Sequence, residues 1–301
     1  MSQSHRLVFF GNERLVSGLK TTSAPLLRGL VAHGYDVAAV VAHHEAARSR
    51  SARTLEVAAI AAAHNIPLLT PKNPLDIIDE LRDYNADAAV LSAYGRLIPT
   101  RIIDLFEPYG IINLHPSLLP RHRGPTPIET TILHGDTKAG VSIMKLAPGM
   151  DDGPLYGQVA LPLSGHETKF DLYDKLSKRG SELLLELLPS ILSGHLNPKS
   201  QKNNDVSVTS LISKADGILR PETDTATVLE RKIRAYLGYP KCRIYLNNHN
   251  VIITSAKVVQ TLPKDHLTLT CQGQTYLEVT ELIAPSGKVM SGEAFLRGYA
   301  A

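Results

Sequence analysis

The sequence predicts an α/β fold: a doubly wound, mostly parallel sheet, followed by a smaller β-rich domain. Three observations carry that expectation. Short runs of Val, Ile and Leu recur through residues 1–150, and stretches of helical period separate most of them. A polar segment broken by Pro and Gly then interrupts the pattern. Beyond it come closely spaced strand-like runs with a single helix.

The first strand-like runs are Leu7–Phe10, Val37–Val41, Ile66–Leu69, Ala88–Leu91, Ile111–Leu114 and Val141–Leu146. Runs that are apolar almost throughout, rather than alternating, are buried on both faces, as in a parallel sheet covered by helices. Helical period occupies Gly18–Ala32, Thr54–His64 and Leu75–Tyr84, and His33-Gly34 and His64-Asn65 punctuate two helix ends. A longer helix is expected from Lys169 to Leu188, with Leu172, Leu176, Leu183, Leu184 and Leu187 on its apolar side and Pro189 stopping it. Residues 189–207, PSILSGHLNPKSQKNNDVS, hold no sustained period and read as a linker. Next come a helix near Asp224–Leu237 and runs at Arg243–Leu246, Val251–Gln260, Leu267–Cys271 and Tyr276–Ile283. Several short strands with one helix suggest a small OB-like β-barrel. The expected domains are residues 1–188 and 208–301.

At 301 residues the chain is long enough for two cores, and 43% hydrophobic with 20% charged residues argues against disorder. No apolar run reaches the ~18–20 residues of a membrane-spanning helix. The polar start, Met1 to Arg6, leads directly into the first strand, where a secretory leader would carry ~7–15 apolar residues. Cys242 and Cys271, the only cysteines, have no CxxC spacing and fit reduced, buried thiols. A cytoplasmic protein without membrane association is expected, and nothing suggests an obligate oligomer, so a monomer is the expectation. The net charge of +3 is small but uneven, about −1 over residues 1–188 and +4 over 189–301, which suits a polyanionic partner for the second domain.

One segment concentrates polar groups at the end of an apolar strand. Asn113 and His115 occupy alternate positions and so share a face. Ligands of open parallel sheets bind beyond the carboxyl ends of strands. If the strand Val141–Leu146 ends beside them, its loop Ala147-Pro148-Gly149-Met150-Asp151-Asp152-Gly153 brings a carboxylate to the same place. An amide donor, an imidazole and a carboxylate suit acyl transfer to an amine. The amide holds a developing oxyanion, the imidazole donates or relays a proton, and the carboxylate orients it. Read by spacing alone, the trio fits a turn histidine with surface carboxylates better than a catalytic set. Gly11…Gly18 lacks the GxGxxG dinucleotide fingerprint. His43, His44 and His122 have no evident ligand set in the sequence, so no metal is expected.

The stretch Asn113–Glu129, NLHPSLLPRHRGPTPIE, resembles the signature of folate-dependent formyltransferases. AYGRLIP (Ala93–Pro99) before it, GVSIMKL and GMDDG after it, and APSGKVMSGEAFLRG (Ala284–Gly298) near the carboxyl end fall in that family's order. The resemblance implies a Rossmann-like formyltransferase domain and 10-formyltetrahydrofolate as co-substrate. Within the family, the SLLP…RG…PI form is similar to members whose acceptor is methionyl initiator tRNA. Glycinamide ribonucleotide or a sugar amine are alternative acceptors, and a non-catalytic folate- or RNA-binding protein is an alternative of another class. By position, Asn113, His115 and Asp151 match the family's catalytic residues. Ser117, Leu118, Leu119, Pro120, Ile98, Ala147, Pro148 and Met150 match its folate-lining segments. Three departures stand out. Gly11-Asn12-Glu13 replaces the usual Gly-Thr-Pro. Asp151-Asp152-Gly153 replaces the usual Asp-Thr-Gly, which leaves Asp152 as the alternative carboxylate, and Asp151 is chosen because Gly153 keeps the family's spacing. The loop after the second strand offers only Arg48, Arg50 and Arg53 as partners for tRNA phosphates.

Overall fold

The structure, a computed structural model, describes residues 5–43, 55–202, 204–263 and 265–299. The first domain runs β1 (Arg6–Phe10), α1 (Pro25–Ala32), β2 (Asp36–Val41), α2 (Glu56–Ala63), β3 (Leu68–Leu69), α3 (Ile78–Asp83), β4 (Ala88–Leu91), α4 (Thr100–Ile103), β5 (Ile111–His115), α5 (Pro127–His134), β6 (Lys138–Lys145), β7 (Leu155–Pro162) and α6 (Lys169–Leu192). Its strands lie in the order β3-β2-β1-β4-β5-β6-β7. The first five pair in parallel, whereas β6 is antiparallel to both β5 and β7.

Alternation along the strands builds two cores. Leu7, Phe9, Ile112 and Leu114 face α1 and α6 in the larger one; Val8, Phe10, Ala89 and Ile111 face Ile102, Ile103 and Phe106 in the smaller. Asn113 and His115 share the parity of Ile111, so they lie on the face of the smaller core. The strand order reverses between β1 and β4, where a crevice opens beyond the carboxyl ends. Among the described residues no helix is long and apolar enough to cross a membrane.

Two sequence expectations need correction here. Pro189 does not end the long helix, which continues to Leu192. Ile191 and Leu192 are buried in the last turn, worth ~1.5–3 kcal/mol each, which offsets the ~3 kcal/mol an interior proline costs. Strand β7 goes unannounced by the sequence because it is an edge strand whose residues alternate between half-buried and exposed. In the β1–α1 connection, Glu13 caps the helix. Its carboxylate accepts the amides of Leu26 (2.9 Å) and Leu27 (2.8 Å), and α1 starts at Pro25 rather than near Gly18.

The second domain comprises α7 (Ala226–Ala235), β8 (Cys242–Leu246), β9 (His249–Val259), β10 (Thr268–Cys271), β11 (Thr275–Ile283), β12 (Val289–Ser291) and α8 (Gly292–Gly298). Its antiparallel sheet has the order β10-β11-β9-β8, with β12 also pairing β11. Helices α5 and α7 meet across the domain boundary. Beside them Lys169, fully buried, lies 3.6 Å from the Glu129 carboxylate and donates to Ser17 Oγ (3.0 Å) and the Tyr239 carbonyl (2.7 Å). Ser17 in turn donates its amide and hydroxyl to Glu129 Oε1. Burial lowers the Lys169 amine to about 8 against the pull of Glu129.

Removing one partner of such a pair strands a buried charge at a cost of ~3–5 kcal/mol, whereas removing both is often near neutral. Lys169→Met should therefore lower stability in denaturant titration by about that much, and Lys169→Met with Glu129→Leu should recover most of it. Burial raises the Glu13 carboxyl from 4.5 to about 7, against its two helix amides. The folded state thus holds a proton the unfolded chain has lost between those values, and stability should fall as pH rises from 4.5 to 7. Glu13→Gln should flatten the pH dependence of the melting temperature across that window; an unchanged slope would contradict the assignment.

Candidate functional site

A cavity of about 500 Å³ opens where β1, β4 and β5 end. Leu15 and Leu91, Ala93 to Ile98, and Leu146 to Met150 supply much of its wall, and Arg14 and Arg96 stand in it. Leu211, from the chain leading into the second domain, also reaches it. The wall is mainly aliphatic, which suits the faces of a flat heterocycle.

Asn113, His115 and Asp151 meet on one side of this cavity. None of the side-chain hydrogen bonds among the described residues uses the Asn113 amide, although the residue is only 5% exposed. His115 directs Nε2 at the carbonyl of His122 (3.0 Å) and Nδ1 at Asp151 Oδ2 (3.7 Å). Asp151 Oδ2 accepts the amide of Gly124 at 2.7 Å. Of the two neighbouring carboxylates, Asp151 faces His115, while Asp152 is exposed and bends back over Gly149.

The route to this convergence differs from the sequence picture of two adjacent strand ends. Because β6 is antiparallel, its carboxyl end lies beside Ile111, at the far end of β5 from His115. The connection from Leu146 to Pro154 therefore folds back over the sheet face. Gly153 is needed there because a Cβ would strike the Lys145 carbonyl oxygen. Asp151 takes a left-handed conformation, φ +46°. Gln201 holds it: its amide donates to the carbonyls of Asp151 and Gly153, both at 2.8 Å, and its oxygen accepts the guanidinium of Arg123 at 2.7 Å.

Residues 14–188 match the formyl transferase family, and residues 211–300 match the formyl transferase carboxyl-terminal domain. The chain belongs to the formyl transferase family. Relatives match nearly its whole length. Methionyl-tRNA formyltransferase of Chloroflexus aggregans is 33% identical over 97% of each chain, and that of Methylococcus capsulatus is 31% identical over 98% of this chain and 97% of its own. Among solved structures, the N-formyltransferase from Helicobacter canadensis, in complex with folinic acid and dTDP-3-aminofucose, superposes with a TM-score of 0.70 at 16% identity. It covers 91% of this chain and 98% of its own. Glycinamide ribonucleotide transformylase 1 from Symbiobacterium toebii gives 0.55 at 23% identity, over 67% and 95%. These two structures speak for the formyl transferase fold alone.

Within this formyl transferase site, Ile98, Ala147, Pro148 and Met150 lie on the cavity wall. Ser117, Leu118, Leu119 and Pro120 do not. Ser117 Oγ donates to the Arg121 carbonyl, its own carbonyl accepts Ser142 Oγ, and the Leu119 amide donates to that same hydroxyl. Leu118 packs over Gly140. The turn is bonded to itself and to β6, on the far side of β5 from the opening. Arg48, Arg50 and Arg53 lie outside the described residues. Gly124, Arg123 and Gln201 escape sequence reasoning because Gly124 acts through its backbone amide, Arg123 only through Gln201, and Gln201 sits in a stretch without period.

Gln201 touches the loop of Asp151 only through main-chain carbonyls, so Gln201→Ala should leave the fold intact and loosen the carboxylate. A fall in kcat of ~10–100-fold with near-native melting is expected, on the scale of losing a partner that orients a functional ligand. Native kcat would show that the loop holds itself.

Proposed function

We propose that the chain transfers a formyl group from 10-formyltetrahydrofolate to the α-amine of methionyl initiator tRNA. The observation that carries this reading is the convergence of Asn113, His115 and Asp151 on the wall of a mainly aliphatic cavity. Full-length relatives named for that reaction support the choice of acceptor. Solved neighbours with tetrahydrofolic acid or 5-N-formyl-THF support a folate donor. The donor's heterocycle lies against Ile98, Ala147, Pro148 and Met150. Its formyl oxygen faces the Asn113 amide.

The amine nitrogen attacks the formyl carbon and the carbonyl π pair moves to oxygen, where the Asn113 N–H stabilises it. The amine gives up a proton to the Asp151–His115 pair. As the oxyanion collapses, the bond to folate N10 breaks and that nitrogen takes a proton, so the pair returns to its starting state. The second domain and its preceding segment, carrying about +4, face the tRNA phosphates. Arg48, Arg50 and Arg53 are further candidate contacts. The protein acts as a monomer in the cytoplasm.

Loss of one oxyanion donor costs ~100–1,000-fold. Asn113→Ala should lose at least ~100-fold in kcat while a folate analogue binds within a few-fold of the parent. The assay uses labelled 10-formyltetrahydrofolate with methionyl-tRNA, glycinamide ribonucleotide and an amino sugar as competing acceptors. Faster formylation of either small acceptor would replace the tRNA reading; native turnover by Asn113→Ala would remove the role of Asn113.

A further inference from the structure

We propose that His122, His134 and Asp136 form a binding site for a zinc-class divalent metal ion behind the turn that carries the His115 contact. The sequence offers His122 no ligand set, but the fold supplies one. Helix α5 ends at His134, Gly135 reverses the chain in a left-handed conformation (φ +66°), and Asp136 follows. Ligand atoms of all three side chains then lie within 4.8 Å of one another.

Their detail fits a metal of this class. His122 is buried (4% exposed), and Nε2, at 2.7 Å from Asp136 Oδ2, is the nitrogen turned to the cluster. Its other nitrogen faces Ser207 Oγ at 3.4 Å, which leaves Nε2 as the coordinating atom. Asp136 Oδ1 accepts Arg121 Nη2 at 2.9 Å, which turns Oδ2 inward; Arg121 is half exposed, so water screens its charge. The His134 ring approaches His122 edge-on with centroids 5.4 Å apart. Two imidazoles and a carboxylate suit zinc, cobalt or nickel, with the exposed His134 side leaving a fourth position for water. Tetrahedral zinc with bonds of ~2.0–2.1 Å places its ligand atoms about 3.3 Å apart. The His122–Asp136 contact must widen by about half an ångström, and His134 must close in by a side-chain rotation its exposure permits.

The location gives the site a consequence. The His122 carbonyl, on a left-handed residue (φ +56°), is the group that holds His115 Nε2. A metal on the His122 ring ties that residue to α5, fixing the carbonyl from behind.

The test uses the full chain, stripped with chelator, titrated with Zn²⁺ by calorimetry and with Co²⁺ by visible absorption. The parent should bind one equivalent of each, with a melting temperature that rises on Zn²⁺ addition. His134→Ala, at an exposed position, should fold and melt like the metal-free parent. It should bind at least ~100-fold more weakly, since even residues that only orient ligands are worth ~10–100-fold. Asp136→Asn should weaken binding similarly, while His195→Ala, at a remote exposed histidine, should not. No saturable site in the parent, or equal affinity in His134→Ala, overturns the proposal.

Discussion

The hydrogen bond from the Gly124 amide to Asp151 Oδ2 joins two segments that the sheet would otherwise keep apart, and the geometry of the site depends on it. Strand β6 delivers the chain to the wrong end of β5, and a loop of nine residues must carry a carboxylate back to His115. Asp151 reaches that place in a left-handed conformation, at a cost of ~1–2 kcal/mol. The Gly124 amide and the two donations from Gln201 offset it at ~1 kcal/mol each. Gly124 itself has φ +100°, a conformation that lets its amide face the loop and that an L side chain would strain. Strain at one residue is thus held by contacts drawn from two other segments.

One of those segments is the stretch between the domains, which is extended but far from loose. Lys199 pairs with Leu155 in both directions, Arg123 exchanges backbone hydrogen bonds with Ser207 and Thr209, and Leu211 lines the cavity. Together with the donation from Lys169 to the Tyr239 carbonyl, these contacts fix the second domain against the first. The larger core accordingly runs through both, from Leu7 to Phe295. A macromolecular acceptor held by the second domain would therefore approach the cavity along a direction set by the protein, not by a hinge.

What the sequence disclosed follows physical rules. Strands β1, β2, β4 and β5 were legible because burial on both faces leaves a continuous apolar run, and Asn113 and His115 were legible as the polar exceptions at the end of one. Strand β7 was not, since an edge strand needs no such run. The helix through Pro189 was not, because tertiary burial of Ile191 and Leu192 decides it. The polar stretch 189–207 looked like a tether because its hydrogen bonds run to distant residues, which local period cannot reveal. Glu13 departs from the family's usual residue, yet it caps α1 with its own carboxylate.

The two contacts of His115 constrain how a proton could move in the proposed reaction. A neutral imidazole has one N–H, and the His122 carbonyl at 3.0 Å can only accept it from Nε2. Nδ1 is then an acceptor facing another acceptor, Asp151 Oδ2, at 3.7 Å. Two acceptors at that separation invite a donor between or beside them, and an attacking primary amine brings N–H groups to that edge. Once the proton is taken, a doubly protonated ring satisfies both the carbonyl and the carboxylate with little movement of either. The pair can therefore change by one proton without rebuilding its hydrogen bonds. Formyl transfer asks for that twice per turnover, once when the amine adds and once when the folate nitrogen leaves.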